Sequence, residues 1–264
     1  MFNRWFGKKN TGQIPMYSDL RQRPTRPLPA ALLEREQHPD ERTQREEIQQ
    51  QISEQLQRSD PDQPILSELL SAEGGVVTIP LPEKGVHCLP VFSSPYRAAD
   101  YVQTLMAAGP RIQYPASSAA QFLRMLRDLE RAGINSVAVD RCPRCEVFVS
   151  VRTNSIREVK DVHSVLAIAV AMNLHRANLY FEYALEQARK GLPAEAREVA
   201  LETAGHTTFE DPRPHLLLGL PAIKQKDRKL LQEAKAFLAF LNSRQELESL
   251  TQMEKNGVED FNIF

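Results

Sequence analysis

The sequence predicts an α+β protein: a small mixed sheet with helices on one face, followed by an all-α domain of helical hairpins. Three observations carry this. Short β-branched runs alternate with amphipathic helical stretches between residues 65 and 160. From residue 161 to 242 the apolar spacing is helical throughout. Within that part Glu195-Ala-Arg-Glu-Val-Ala-Leu201 returns 38 residues later as Glu233-Ala-Lys-Ala-Phe-Leu-Ala239.

Composition bounds the rest. A chain of 264 residues with 42% hydrophobic and 25% charged side chains is long and apolar enough for one or two domains with a sizeable core. Basic and acidic residues nearly cancel, 33 against 34, which argues against a surface built throughout for phosphate backbones, so no nucleic-acid partner is expected. Three cysteines do not make a disulfide scaffold and fit a reducing compartment, so a cytoplasmic location is expected. The longest apolar run, Val165–Met172, falls far short of the roughly 18–20 residues of a membrane span and reads as a buried helix. Residues 1–9 lack the apolar core and cleavage site of a signal peptide.

Residues 1–64 read as a polar, disordered tail. Gln13–Pro29 is rich in proline and arginine and poor in apolar residues. From Pro39 to Arg58 the chain turns to Glu, Gln and Arg, with Ile48, Ile52 and Leu56 spaced by four on one narrow stripe. That predicts a lone helix, marginal without a partner. Asp60-Pro-Asp-Gln-Pro64 ends it.

The α/β domain is expected over 65–160. Val76-Val-Thr-Ile-Pro80 is a strand after Gly74-Gly75. Val86–Phe92 is a second, which Pro90 demotes to an edge or a bulge. Ser93 or Ser94 caps a helix that buries Ala98, Tyr101, Val102, Leu105 and Met106 and stops at Gly109. Arg111–Tyr114 is a short strand. Ser117 or Ser118 opens an amphipathic helix with Phe122, Leu123, Leu126 and Leu129 on one face, ending at Gly133. Ser136–Asp140 and Glu146–Val151 are strands on either side of a Cys-Pro-Arg-Cys turn.

The helical domain is expected over 161–242. One helix carries Phe181, Tyr183, Leu185 and Ala188 to Gly191, and Pro193 opens the next. The 38-residue echo suggests two tetratricopeptide-like hairpins. Pro221 interrupts the second copy, and the long segment Gly205–Pro214 separates them, so a non-repeating bundle stands beside that reading. Residues 243–264 read as a polar tail, ending in the apolar Phe261-Asn-Ile-Phe264.

The segment Cys88-Leu-Pro-Val-Phe-Ser-Ser-Pro-Tyr-Arg-Ala-Ala-Asp-Tyr-Val102 resembles the start of the SseB-like N-terminal domain, a bacterial family named for enhanced serine sensitivity. Members carry a Leu-Pro-Val-Phe-Thr-Ser strand, a helix, a short strand, an amphipathic helix and a strand ending in Asn-Pro. Here Ser93 replaces the threonine, and Asp140-Arg141 stands in place of Asn-Pro. The resemblance covers Val76 to Val151. It implies a small α/β domain with no established catalysis, and hence an adaptor.

Chemistry is sparse. Cys142-Pro-Arg-Cys145 suits a structural turn, half of a zinc site or a thiol redox pair. Zinc needs more ligands: Cys88 is a candidate third, and a second chain is another source, which admits a homodimer. His87 cannot easily join Cys88, since neighbours on a strand face opposite ways. A redox pair would favour a helix after the motif, whereas strand-like residues follow. His163, His175, His206 and His215 are scattered, and His206–Asp211 reads as a polar capping loop. Phe2, Trp5 and Phe6, with Arg4, Lys8 and Lys9, make a marginal membrane anchor. Arg21, Arg23 and Arg26 lack the aromatic platform that single-stranded nucleic acid wants.

The expected function is that of a non-enzymatic protein-interaction protein whose hairpins present a groove. A zinc-binding or redox protein on Cys142 and Cys145 is the first alternative, and a secretion-linked chaperone or membrane-associated factor the second. Tyr180, Phe181, Tyr183 and Phe237 read as core rather than contact residues.

Overall fold

The computed structural model describes Tyr17 and residues 30–81, 86–105, 112–141, 148–191, 193–206 and 211–256. The chain adopts the expected α+β class, with a mixed sheet and a helical C-terminal region. Its described residues divide into two compact units, one within residues 45–172, the other made of Tyr17, residues 30–44 and those within 173–256.

The first helices are α1 (Ala30–Gln37) and α2 (Pro39–Gln57), where a tail with at most one helix was expected. Leu32 in α1 and Ile52 and Leu56 in α2 are buried. The stripe read from the sequence is therefore a docking face, and packing rather than propensity holds these polar helices.

The α/β unit is built on β1 (Leu66–Glu68), β2 (Leu70–Ser71), β3 (Ile79–Leu81), β4 (Val86–Phe92), β5 (Ile112–Gln113), β6 (Ala116–Ser117), β7 (Ser136–Val139) and β8 (Val149–Arg152). Helix α3 (Pro95–Leu105) and helix α4 (Ala119–Arg131) lie between β4 and β7 in sequence. The sheet order is β6-β1-β4-β7-β8, with β3 also on β4, while β2 and β5 form a separate pair. β4 and β7 run parallel, the arrangement that a helical crossover permits.

β4 is central, which corrects its demotion to an edge. It pairs with β7 along one side. On the other side β3 takes Val86 to Cys88 and β1 takes Val91 and Phe92. Leu89 and Pro90 fall between these two short partners, so the missing proline N–H leaves no ladder bond broken there.

Cys88, Phe92 and Ala138 share a buried cluster with Leu69, Ile79, Ala98 and Tyr101. All four β7 positions are buried, so both faces of the sheet are covered there. Ser118 caps α4 in a capping box with Gln121, and Gly133, at φ 86°, follows the helix end.

The ends of the two parallel strands are tied by one carboxylate. The Ser93 N–H donates to Asp140 Oδ1 and the Ser93 hydroxyl to Oδ2, each at 2.7 Å. Asp140 has a left-handed φ of 55°, which aspartate tolerates better than most residues. Its own N–H donates to the Val91 carbonyl at 2.8 Å.

Helix α5 (Val159–Arg189) spans 31 residues, and the division between the units falls inside it, as it does inside α2. The helical unit continues with α6 (Pro193–His206), α7 (Pro212–Lys224), α8 (Arg228–Phe240) and α9 (Arg244–Asn256). α7 packs against α6, α8 and α9. Every residue from Pro214 to Ala222 is buried, the pattern of a helix enclosed on all sides. Pro221 does not interrupt it, because the surrounding packing offsets one lost backbone bond. The polar tail expected after Asn242 is helical over α9, held by the fully buried Leu250.

A candidate tyrosine pocket in the helical unit

The most distinctive buried constellation joins residues nearly two hundred positions apart. Asp211 caps α7 by accepting from the Arg213 N–H, and Pro212 fixes the first turn, which sets His215 one turn in. Asp227 caps α8 in the same way through the Leu230 N–H. Glu233 and Phe237, one turn apart, then share a face of α8.

Tyr17 completes the set. Its ring is 1% exposed and stacks on Phe237 at 4.7 Å and 19°. Phe237 stacks in turn on His215 at 4.4 Å and 12°. The Tyr17 hydroxyl and His215 Nδ1 share a 2.6 Å hydrogen bond. Burial, and then the Glu233 carboxylate, push the Tyr17 pKa well above that of free tyrosine. The phenol is therefore neutral at any ordinary pH, and its hydroxyl donates to Nδ1 or accepts from it according to the imidazole tautomer. The phenol thus lies against the Phe237 ring and meets one polar atom, His215 Nδ1.

The segment is held a second time through α1. Arg35 Nη2 donates to Glu186 Oε2, and Arg176 Nε to Glu36 Oε1, each at 2.6 Å. The Arg35 guanidinium also lies 5.8 Å from the centroid of the Tyr183 ring. Lys190 and Arg35 together bring the Glu186 carboxyl down to about 2. The second pair is the more buried, with Arg176 8% and Glu36 16% exposed.

The residues singled out from the sequence fare differently. Cys142 and Cys145 lie outside the described residues, as do Phe2, Trp5, Phe6, the three tail arginines and Phe261–Phe264. Cys88 is buried in the apolar cluster of the sheet, while His87 beside it is exposed, as strand alternation requires. Among the described residues no group of His, Cys, Asp and Glu is placed to hold a metal ion. His163, His175 and His215 are all buried, and burial pushes the His163 imidazole down. Tyr180, Phe181, Tyr183 and Phe237 are buried, as expected. Among the described residues no helix is long and apolar enough to cross a membrane.

The α/β unit has a polar cavity of about 710 Å³, lined by Glu130, Asn135, Ser136, Ser150, Arg152 and Thr153 among others. Ser136 and Ser150 hydroxyls meet there at 3.5 Å. Tyr17 is the residue of this candidate site that the sequence reading missed. Its one signal was an aromatic ring with Ile14, Met16 and Leu20 nearby in an otherwise proline- and arginine-rich stretch. No family model matches this chain, no curated protein matches it, and no solved structure matches it.

Proposed function

We propose that the chain is a non-enzymatic protein-interaction protein, an adaptor of the SseB-like type acting in the bacterial cytoplasm, whose helical unit receives a segment of another protein. The observation that carries this reading is the seating of Tyr17 and helix α1 on the helical unit, through the Tyr17 ring and the ion pairs of α1. Aromatic anchors seated in a pocket and flanked by charged pairs are the usual grammar of segment recognition. The order β4, α3, β5 and β6, α4, β7 supports the family reading, because the resemblance implies that succession. The strongest buried polar contacts join framework groups to one another, Ser93 to Asp140 and Tyr17 to His215, which suits a platform better than a turnover site.

The test uses the full chain in cells, with a photo-cross-linking side chain at the exposed Ala236 of α8 or the exposed Arg127 of α4. A discrete adduct with one protein from Ala236 is the expected result. Absence of any adduct from both positions, with stoichiometric zinc that a Cys142→Ser variant loses, would replace this reading with the metal-binding one.

A further inference from the structure

We propose that the free edge of β8 is a second docking site, which takes an extended segment of another protein in which apolar residues alternate with polar ones that include a carboxylate. The site lies wholly in the α/β unit and stands independently of the helical-unit reading above.

β8 ends the sheet order β6-β1-β4-β7-β8, and no described residue pairs with its outer side. The Thr153 N–H donates to the Asn135 carbonyl at 3.0 Å, which fixes the phase of the ladder. Residues 149, 151 and 153 therefore turn their backbone groups toward β7, while Ser150 and Arg152 turn theirs outward. The Arg152 carbonyl starts the short 3-10 turn Thr153–Ser155. That leaves the Ser150 N–H and C=O and the Arg152 N–H to meet an incoming strand. Four residues give few ladder bonds, so side chains must add to them.

Those side chains select the segment. Val149 and Val151 lie opposite Val139 and Val137 and are half-buried, so apolar residues on an added strand extend this layer. Ser150 and Arg152 share the other face with Ser136, and the cavity of about 710 Å³ opens there. Two charged residues line it, Glu130 and Arg152. Glu130 is engaged by Arg157 Nη1 at 3.5 Å, whereas the exposed Arg152 makes no ion pair among the described residues. The uncommitted charge is therefore positive, and the Ser136, Ser150 and Asn154 side chains add neutral donors. The complementary group is a carboxylate. β8 itself carries none, so a second copy of this edge would bring the wrong charge to Arg152.

The experiment titrates the isotope-labelled full chain with a blocked synthetic peptide, Thr-Val-Glu-Val-Thr-Val-Thr, and follows backbone amides by NMR. The Ser150 and Arg152 amides are expected to shift and to slow in hydrogen exchange. N-methylation of the threonine and glutamate nitrogens, which face β8, is expected to abolish binding, and N-methylation of the valine nitrogens to leave it in place. Arg152→Glu, a surface change, is expected to weaken this peptide about tenfold and to favour one with lysine in place of the glutamate by a similar factor. Ser150 and Arg152 amides that the glutamate peptide does not move at millimolar concentration overturn the proposal. So does equal binding of the two N-methylated peptides, or binding of free glutamate as tight as that of the peptide, because the contact is then with side chains alone. Concentration-dependent dimerisation of the wild-type chain that broadens the same two amides also overturns it, since the occupant is then a second copy.

Discussion

Gly219 of α7 and Leu250 of α9 approach so closely that a Cβ built on the glycine would lie 2.7 Å from Leu250 Cδ2. In an isolated helix, alanine would stabilise over glycine by about 1 kcal/mol. Here overpacking wins, because the neighbouring side chain is itself fully buried. Gly219→Ala is expected to destabilise the protein by about 1–3 kcal/mol in urea unfolding. Adding Leu250→Ala should recover part of that loss, so the double variant will be less destabilised than the sum of the two.

The tie between Ser93 and Asp140 predicts a coupled pair. Asp140→Ala leaves a buried N–H and a buried hydroxyl without their acceptor and should lower stability by roughly 2–4 kcal/mol. Asp140→Asn keeps one acceptor oxygen and tolerates the left-handed φ of 55°, so it should lose clearly less. A double-mutant cycle with Ser93→Ala is expected to return a coupling of about 1–2 kcal/mol. Additive losses would mean that the two residues do not act on one another.

Glu68 in β1 predicts a pH dependence. Burial raises its pKa above 4.5, against a smaller opposing effect of the hydrogen bond that Ser117 Oγ donates at 2.8 Å. The folded state therefore binds this proton more tightly than the unfolded state does. The stabilising contribution is fully present below the unfolded value near 4.5 and is lost as pH rises through the higher folded value. Glu68→Gln should consequently gain on wild type as pH rises across that window. Chemical denaturation at a series of pH values from 4 to about 8 reads the gain.

Glu186 predicts the opposite sign. Its carboxyl is held down to about 2, first by Lys190 and then by Arg35. This contribution is present above the unfolded value of 4.5 and is lost as pH falls toward 2. In an NMR titration of the side-chain carboxyl, Lys190→Gln should raise the value more than Arg35→Gln does. Both groups are well exposed, so 1 M salt should weaken the effect as well.

The legible parts of the fold were those with local chemistry. Ser118, the apolar face of Phe122 and Leu126, and Gly133 marked α4 from cap to stop. The apolar sequence around Tyr180, Phe181 and Tyr183 marked a core helix. Pro90 misled, because a proline excludes a strand from a sheet interior only when a partner faces its absent N–H, and the gap between β3 and β1 spares it. α9 was hidden by its polarity, since a single deep contact at Leu250 gives no periodic signal. The candidate site was the least legible. Tyr17 and His215 are separated by 198 residues, and neither lies in a motif that points to the other. The 38-residue echo places α6 and α8 in comparable positions, while their observed starts, Pro193 and Arg228, are 35 residues apart.

The enclosure of α7 sets how this half of the molecule meets deuterated solvent. A helix with no wet face offers no local route for exchange, so the amides of Leu216–Leu220 can swap protons only when α6, α8 and α9 all let go. Their exchange rate is accordingly a gauge of the cooperative opening of the whole unit, whereas amides on the outer face of α9 will report only fraying. A ligand that tightens the slow set without touching the fast one has bound the unit as a whole.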